Sequence, residues 1–166
     1  MTDPQTASIR ARSATLLRVV SGLAAVLWTL LLFERFGAAG LRVIAHGDVA
    51  AWQALAAQGV AAIPEVLYLL ALDGVRRALA EFARGQLYAP TITRMLDRVG
   101  VLLAAGALIG VFIVPGLQRA LGAGPGYWTA FDVSGLVLGA LGLLLTVIAR
   151  VFGRAATIEA ELGEIF

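Results

Sequence analysis

The chain has no cysteine, no lysine and no asparagine, and a single histidine, His46. Each absence removes a class of function. Without Cys there are no disulfides, no thiolate nucleophile, no iron–sulfur cluster and no cysteine zinc site. One His excludes a bis-histidine haem within one chain and a multi-histidine metal centre, so no metal and no cofactor are expected. Without Asn there is no N-glycosylation sequon. Charge is scarce too. Asp, Glu, Lys and Arg make up 14% of 166 residues, against about 25% in soluble domains. In their place stand hydrophobic residues, at 60%. Such a chain cannot cover a water-facing surface of ordinary polarity, and it is far too apolar for disorder. It reads as an all-α integral membrane protein. The bias to Ala, Gly and Arg fits a GC-rich bacterial genome and hence a bacterial inner membrane.

A bilayer core of about 30 Å needs about 20 mostly apolar helical residues. Four stretches qualify, at about 16–33, 54–72, 99–117 and 133–149. The first could instead be read as a signal peptide, with Arg10 and Arg12 as its basic end and Gly37-Ala38-Ala39 as a cleavage site. Its length and the charged Glu34-Arg35 approach favour a span. All 13 basic residues are Arg, and they serve as topology signals. Arg10, Arg12, Arg18, Arg76, Arg77, Arg84, Arg94, Arg98, Arg150 and Arg154 fall on one side of a four-span layout. Arg35, Arg42 and Arg119 fall on the other. Both termini and the middle loop are therefore expected in the cytoplasm. With its Arg residues spent on topology, the chain has no basic, aromatic-interleaved surface left, and no direct nucleic-acid binding is expected.

The third and fourth spans each carry a G-x-x-x-G, Gly106 with Gly110 and Gly135 with Gly139. Small residues four apart let helix backbones approach closely, where lipid supplies no hydrophobic drive. Packing of the third span on the fourth is the expectation; a homo-oligomer face is the alternative. Trp52, Tyr127 and Trp128 sit near the predicted outer boundary, as in an aromatic belt.

Glu65 is the most unusual residue. It lies near the centre of the second span, beside Pro64. An ionisable group there costs roughly 2.5–3.5 kcal/mol, and the span's eight large aliphatics offset roughly 2.4–4.8 together. The span is marginal alone and should face the bundle interior. Placed about 12 Å from the Arg-rich end, Glu65 is expected to share its depth with Ser21, with the longer Arg18 in reach. These three residues form a candidate intramembrane polar site. The acid could be protonated and hydrogen-bonded, paired, or open to a watery cavity.

Elsewhere the residues read more plainly. His46 lies in a predicted outer loop, near Asp48. Asp132 precedes the fourth span, where an anionic N-cap is favoured. Asp73, Arg76, Arg77 and Glu81 have the spacings of intrahelical ion pairs. No G-x-S-x-G, H-E-x-x-H or P-loop occurs, so no enzymatic activity is expected. Gly-Ala-Gly-Pro-Gly at 122–126 lacks the strand-to-helix setting of a phosphate cradle. Residues 84–100 form a distinct segment. Gly85 breaks the preceding helix and Pro90 suits the first turn of the next. Ile92, Met95, Leu96 and Val99 then recur at helical spacing, with Arg94, Asp97 and Arg98 opposite. The pattern is an amphipathic interfacial helix. Anionic lipid or a cytosolic partner would suit it equally.

Residues 84–90, Arg-Gly-Gln-Leu-Tyr-Ala-Pro, followed by Arg-Met-Leu-Asp-Arg-Val-Gly at 94–100, resemble the signature of the domain-of-unknown-function 2975 family of bacterial four-helix membrane proteins. Leu-Leu-Leu-Thr-Val-Ile-Ala-Arg-Val-Phe at 143–152, leading into a charged tail, resembles that family's last helix. Tyr88 stands where Phe is usual, Ala89 where Ser or Thr caps the helix, Arg150 where an acid is common and Ala155 where Gly is common. The resemblance implies no catalytic activity. It implies a partnership with a cytosolic helix-turn-helix regulator, since relatives are often encoded beside one. Arg84, Gly85, Tyr88, Pro90, Arg94 and Arg98 would form the interaction segment. The alternative function is a small transporter or lipophilic-ligand-binding protein using Glu65.

The Arg distribution predicts the outcome of alkaline phosphatase fusions. Activity should appear after residues 45 and 124 and be absent after 86 and 166. Strong activity at 86 or 166 would end the four-span, both-termini-inside layout.

Overall fold

The computed structural model describes residues 4–84, 89–122 and 132–163. Helix α1 runs Pro4–Leu32 and passes through a π-helical turn, Phe33–Gly37, into α2, Ala38–His46. Helix α3 spans Val49–Ala83. Helix α4, Ala89–Leu108, continues through a second π turn, Ile109–Ile113, into α5, Val114–Ala120. Helix α6 spans Val133–Gly163. Four of the resulting rods are long and apolar enough to cross a membrane: Thr15–His46, Val49–Glu81, Ile92–Ala120 and Val133–Ala155. The chain is all-α and multi-pass. Gly85, Tyr88, Tyr127 and Trp128 lie outside the described residues, as does most of the 122–126 loop.

The first rod departs from the sequence expectation. The apolar run ends at Phe33, which predicts a loop from residue 34. The helix instead continues to His46. Residues 38–46 contain no Pro and are rich in Ala, so nothing stops propagation until Gly47. Gly47 has φ +62°, and its N–H donates to Val43 O at 2.9 Å. That is a left-handed helix end, which glycine adopts without steric cost. Asp48 follows at once as the cap of α3, its Oδ1 accepting from Ala51 N–H at 2.9 Å. Two residues thus replace a predicted loop of twenty. His46 becomes the last residue of a helix, exposed beside the turn.

This difference relocates Arg35. A 32-residue rod is about 48 Å long and exceeds a 30 Å core by about 9 Å at each end. Arg35 lies about 18 Å from the Gly47 turn. It sits inside the hydrocarbon layer.

The rods pack in chain order. The α1–α2 rod contacts α3, α3 contacts the α4–α5 rod, and that rod contacts α6. Among the described residues α1 makes no contact with α4 and α3 none with α6. The bundle is an open row, with α3 and the third rod central. Its interior is built from small residues: among the described residues, nine of the thirteen buried apolar side chains are Ala. The large hydrophobic side chains face outward, among them Leu30, Leu41, Leu143 and Phe152. Water would not tolerate that surface, and lipid does. Helix association must therefore come from close backbone approach.

The closest approach is between α4 and α6. A Cβ built on Gly142 would lie 2.6 Å from Gly100 O and 2.7 Å from Ala104 N. One on Gly139 would lie 2.6 Å from the Ala107 Cβ. Buried Gly135, Gly139, Gly142 and Ala149 mark the α6 stripe, at spacings of four, three and seven. Gly106 and Gly110 behave differently from the expectation. They face α3: Gly106 makes room for the Tyr68 ring, 2.6 Å from where its Cβ would be, and a Cβ on Gly110 would lie 3.3 Å from Pro64. Gly135 is nearest its own cap, Asp132. Of the four glycines in the two motifs, Gly139 alone joins the third and fourth rods, and Gly100 and Gly142 carry that contact with it.

Gly142→Leu should therefore cost about 1–3 kcal/mol or more through overpacking against backbone. Gly22→Ala, at a site with nothing within 4 Å, should be neutral or gain up to about 1 kcal/mol of helix propensity. Unfolding in mixed micelles with rising dodecyl sulfate measures both. Equal responses would refute this account of the packing.

Candidate functional site

A carboxylate at mid-membrane needs a partner from the protein itself. Glu65 lies at the middle of the Val49–Glu81 rod. Its partner is Arg35. Arg35 Nε donates to Glu65 Oε2 at 3.1 Å, and Nη2 donates to Oε1. The guanidinium and carboxylate meet as two parallel bonds, the geometry that gives Arg–carboxylate pairs their strength. Arg35 Nη1 also donates to Gln58 Oε1 at 3.4 Å. The π turn helps aim the guanidinium. Its i→i+5 winding absorbs an extra residue, so Leu31, Arg35 and Ala39, each four apart, stay on the packed face.

The expected partners of Glu65 lie elsewhere. From the Gly47–Asp48 turn, Glu65 is about 26 Å along its rod, Arg35 about 18 Å and Ser21 about 39 Å. Ser21 is half-buried and Arg18 exposed, nearer the Arg-rich end. The prediction erred because it turned the chain too early. A signal was available: once residues 38–46 are allowed to be helical, Arg35 comes within reach of Glu65 and Gln58.

The pair is not sealed. The side chains of Arg35 and Glu65 keep 29% and 36% of their exposure. They open onto a cleft of about 350 Å³ between the rods. Tyr68, Gln118 and Asp132 add polar lining; Pro64, Gly110 and Val114 add apolar walls. At about 30 Å³ each, roughly a dozen waters would fill it. The volume is at the small end for ligand sites, about 300–1,000 Å³.

Three of the four rods that line the cleft are irregular. Pro64 lacks an N–H, so the Val60 carbonyl loses its helical partner. The π turn at Ile109–Ile113 lies opposite, with Gly110 against Pro64. Buried Pro115 follows it. The Phe33–Gly37 turn carries Arg35 itself. Non-α winding at membrane depth persists where it lines a cavity or is buried in protein, and π turns cluster at functional positions.

Two local features hold, the Asp132 cap and the Asp73 ion pairs. Asp132 caps α6, accepting from Ser134 N–H at 3.0 Å and Gly135 N–H at 3.1 Å. Asp73 pairs with Arg76 at 2.8 Å and Arg77 at 2.7 Å. Of the 84–100 segment, Arg84 ends α3 as a turn, Pro90 lies in the first turn of α4, and Arg94 and Arg98 are exposed. Among the described residues no group of three His, Cys, Asp or Glu could hold a metal ion. No family model, no curated protein and no solved structure matches this chain.

Removing one partner of the pair strands the other charge in the membrane. Fully buried pairs lose about 3–5 kcal/mol in this way; partial exposure should reduce this to about 1–3 kcal/mol. Arg35→Gln and Glu65→Gln should each destabilise, and the double variant should recover part of the loss. A double-mutant cycle on dodecyl sulfate unfolding tests this. Strict additivity would show that the two side chains act independently.

Proposed function

We propose that the protein is a multi-pass protein of the bacterial cytoplasmic membrane that binds a small lipophilic cation in the cleft lined by Arg35, Glu65 and Asp132. The observation that carries this reading is the partly exposed Arg35–Glu65 pair lining a cavity whose charges do not balance. Arg35 and Glu65 cancel, and Asp132 leaves one negative charge over. In a medium of low dielectric an unbalanced charge is felt strongly. The Tyr68 ring adds a face attractive to a cation. The apolar walls at Pro64, Gly110 and Val114 suit the hydrocarbon part of such a ligand. Binding or carriage of a solute is the chemistry such a site suits.

The two halves of the pair predict opposite effects. Glu65→Gln leaves Arg35 as an uncompensated cation and should weaken binding of tetraphenylphosphonium. Arg35→Gln leaves Glu65 unpaired and should strengthen it. Equilibrium dialysis of the full chain in nanodiscs against the labelled cation measures both. If wild-type protein shows no saturable binding, or both variants shift it the same way, the reading fails.

A further inference from the structure

A second concavity lies far from the cleft, at the Arg-rich end of α3 and α4. Its form follows from residue size. Gly74 and Ala78, four apart on α3, present almost no side chain. The facing turn of α4 packs closely there, with Val99 Cγ2 3.6 Å from where a Gly74 Cβ would be. The result is a depression of about 160 Å³ with Met95 on its floor. Its rim is cationic, with Arg77 from α3 and Arg94 and Arg98 from α4. Glu81 is the single acid in the lining.

The rim charges are not all used. Arg77 is held by Asp73. Among the described residues, neither Arg94 nor Arg98 forms an ion pair. Being four apart, they project from one side of α4. The lining carries three positive charges and one negative. The apolar floor sets this place apart from a merely basic surface. It begins where the Ile92–Ala120 and Val49–Glu81 rods reach their ends, at the level of lipid head groups.

We infer that this concavity binds the head group of an anionic phospholipid, its phosphodiester between Arg94 and Arg98 and its glycerol end over Met95 and Ala78. A soluble phosphate would match the arginines but leave the apolar floor unused, so the lipid is the assigned source. The site is independent of the cleft at Glu65. It gives the amphipathic start of α4 a defined occupant.

The test is native mass spectrometry of the full chain released from nanodiscs containing phosphatidylglycerol and phosphatidylethanolamine. Wild-type protein should retain phosphatidylglycerol in preference. Each Arg near anionic lipid strengthens binding about fivefold, so Arg94→Gln/Arg98→Gln should lower retention about thirtyfold and either single variant about fivefold. Arg150→Gln/Arg154→Gln removes the same charge from exposed positions on α6 and should change retention less than about threefold. If both double variants lose lipid equally, the attraction is diffuse and the site is refuted. Equal retention of phosphatidylethanolamine refutes it too. If millimolar inorganic phosphate displaces the lipid from wild-type protein, the ligand is a soluble phosphate and the lipid assignment falls. The single variants keep the outcome readable should the double variant fail to fold.

Discussion

A carboxylate at the centre of a membrane span has to be neutralised inside the protein, and that constraint organises this structure. Glu65 costs roughly 2.5–3.5 kcal/mol to insert unpaired. Its two-point bond to Arg35 answers that cost and also sets the register between the first rod and α3. Several sequence features follow from it. The first helix must run past the apparent membrane edge so that Arg35 enters the hydrocarbon layer. A π turn must aim the guanidinium. The turn at Gly47–Asp48 must be short, because a longer loop would leave the depth of Arg35 unspecified.

The rest of the packing obeys a different rule. Lipid is as apolar as leucine, so burying leucine gains little. The interior is accordingly Ala and Gly, and the aliphatics line the outside. The Gly100–Gly142 approach brings backbone nearly onto backbone. Dispersion between such closely spaced atoms is small per pair and large in sum. The same rule explains why Gly106 faces Tyr68: a large ring on α3 needs a missing side chain on α4, and a glycine stripe can serve a neighbour on either flank.

The fold was largely legible in the sequence. Hydropathy gave four spans and an all-α class, because the bilayer fixes how long an apolar helix must be. The Asp132 cap and the Asp73 ion pairs were legible as well, since both are local. What was not legible came from two sources. Helix ends in a membrane protein do not coincide with the edge of the apolar run, so residues 38–46 looked like loop. The partner of Glu65 depends on that end point: a turn at residue 34 would leave Arg18 and Ser21 as its neighbours in place of Arg35. The G-x-x-x-G motifs failed as pairing signals for a related reason. They show that a helix face is small, and they do not say which neighbour uses it.

The open-row arrangement gives the Arg35–Glu65 pair a further consequence. The first rod touches α3 and no other span among the described residues. In its best apolar window only 6% is buried. Ala24, Leu31 and Ala39 are buried along it, and the ion pair adds to that apolar attachment. The same two side chains line the cleft. A group that competes for either one acts at once on the chemistry of the cavity and on the attachment of its wall. A sealed hydrophobic seam would fix that wall regardless of what entered. An ion pair still open to the cleft leaves the wall responsive to charge, which is why the polar residues of this chain sit where they do.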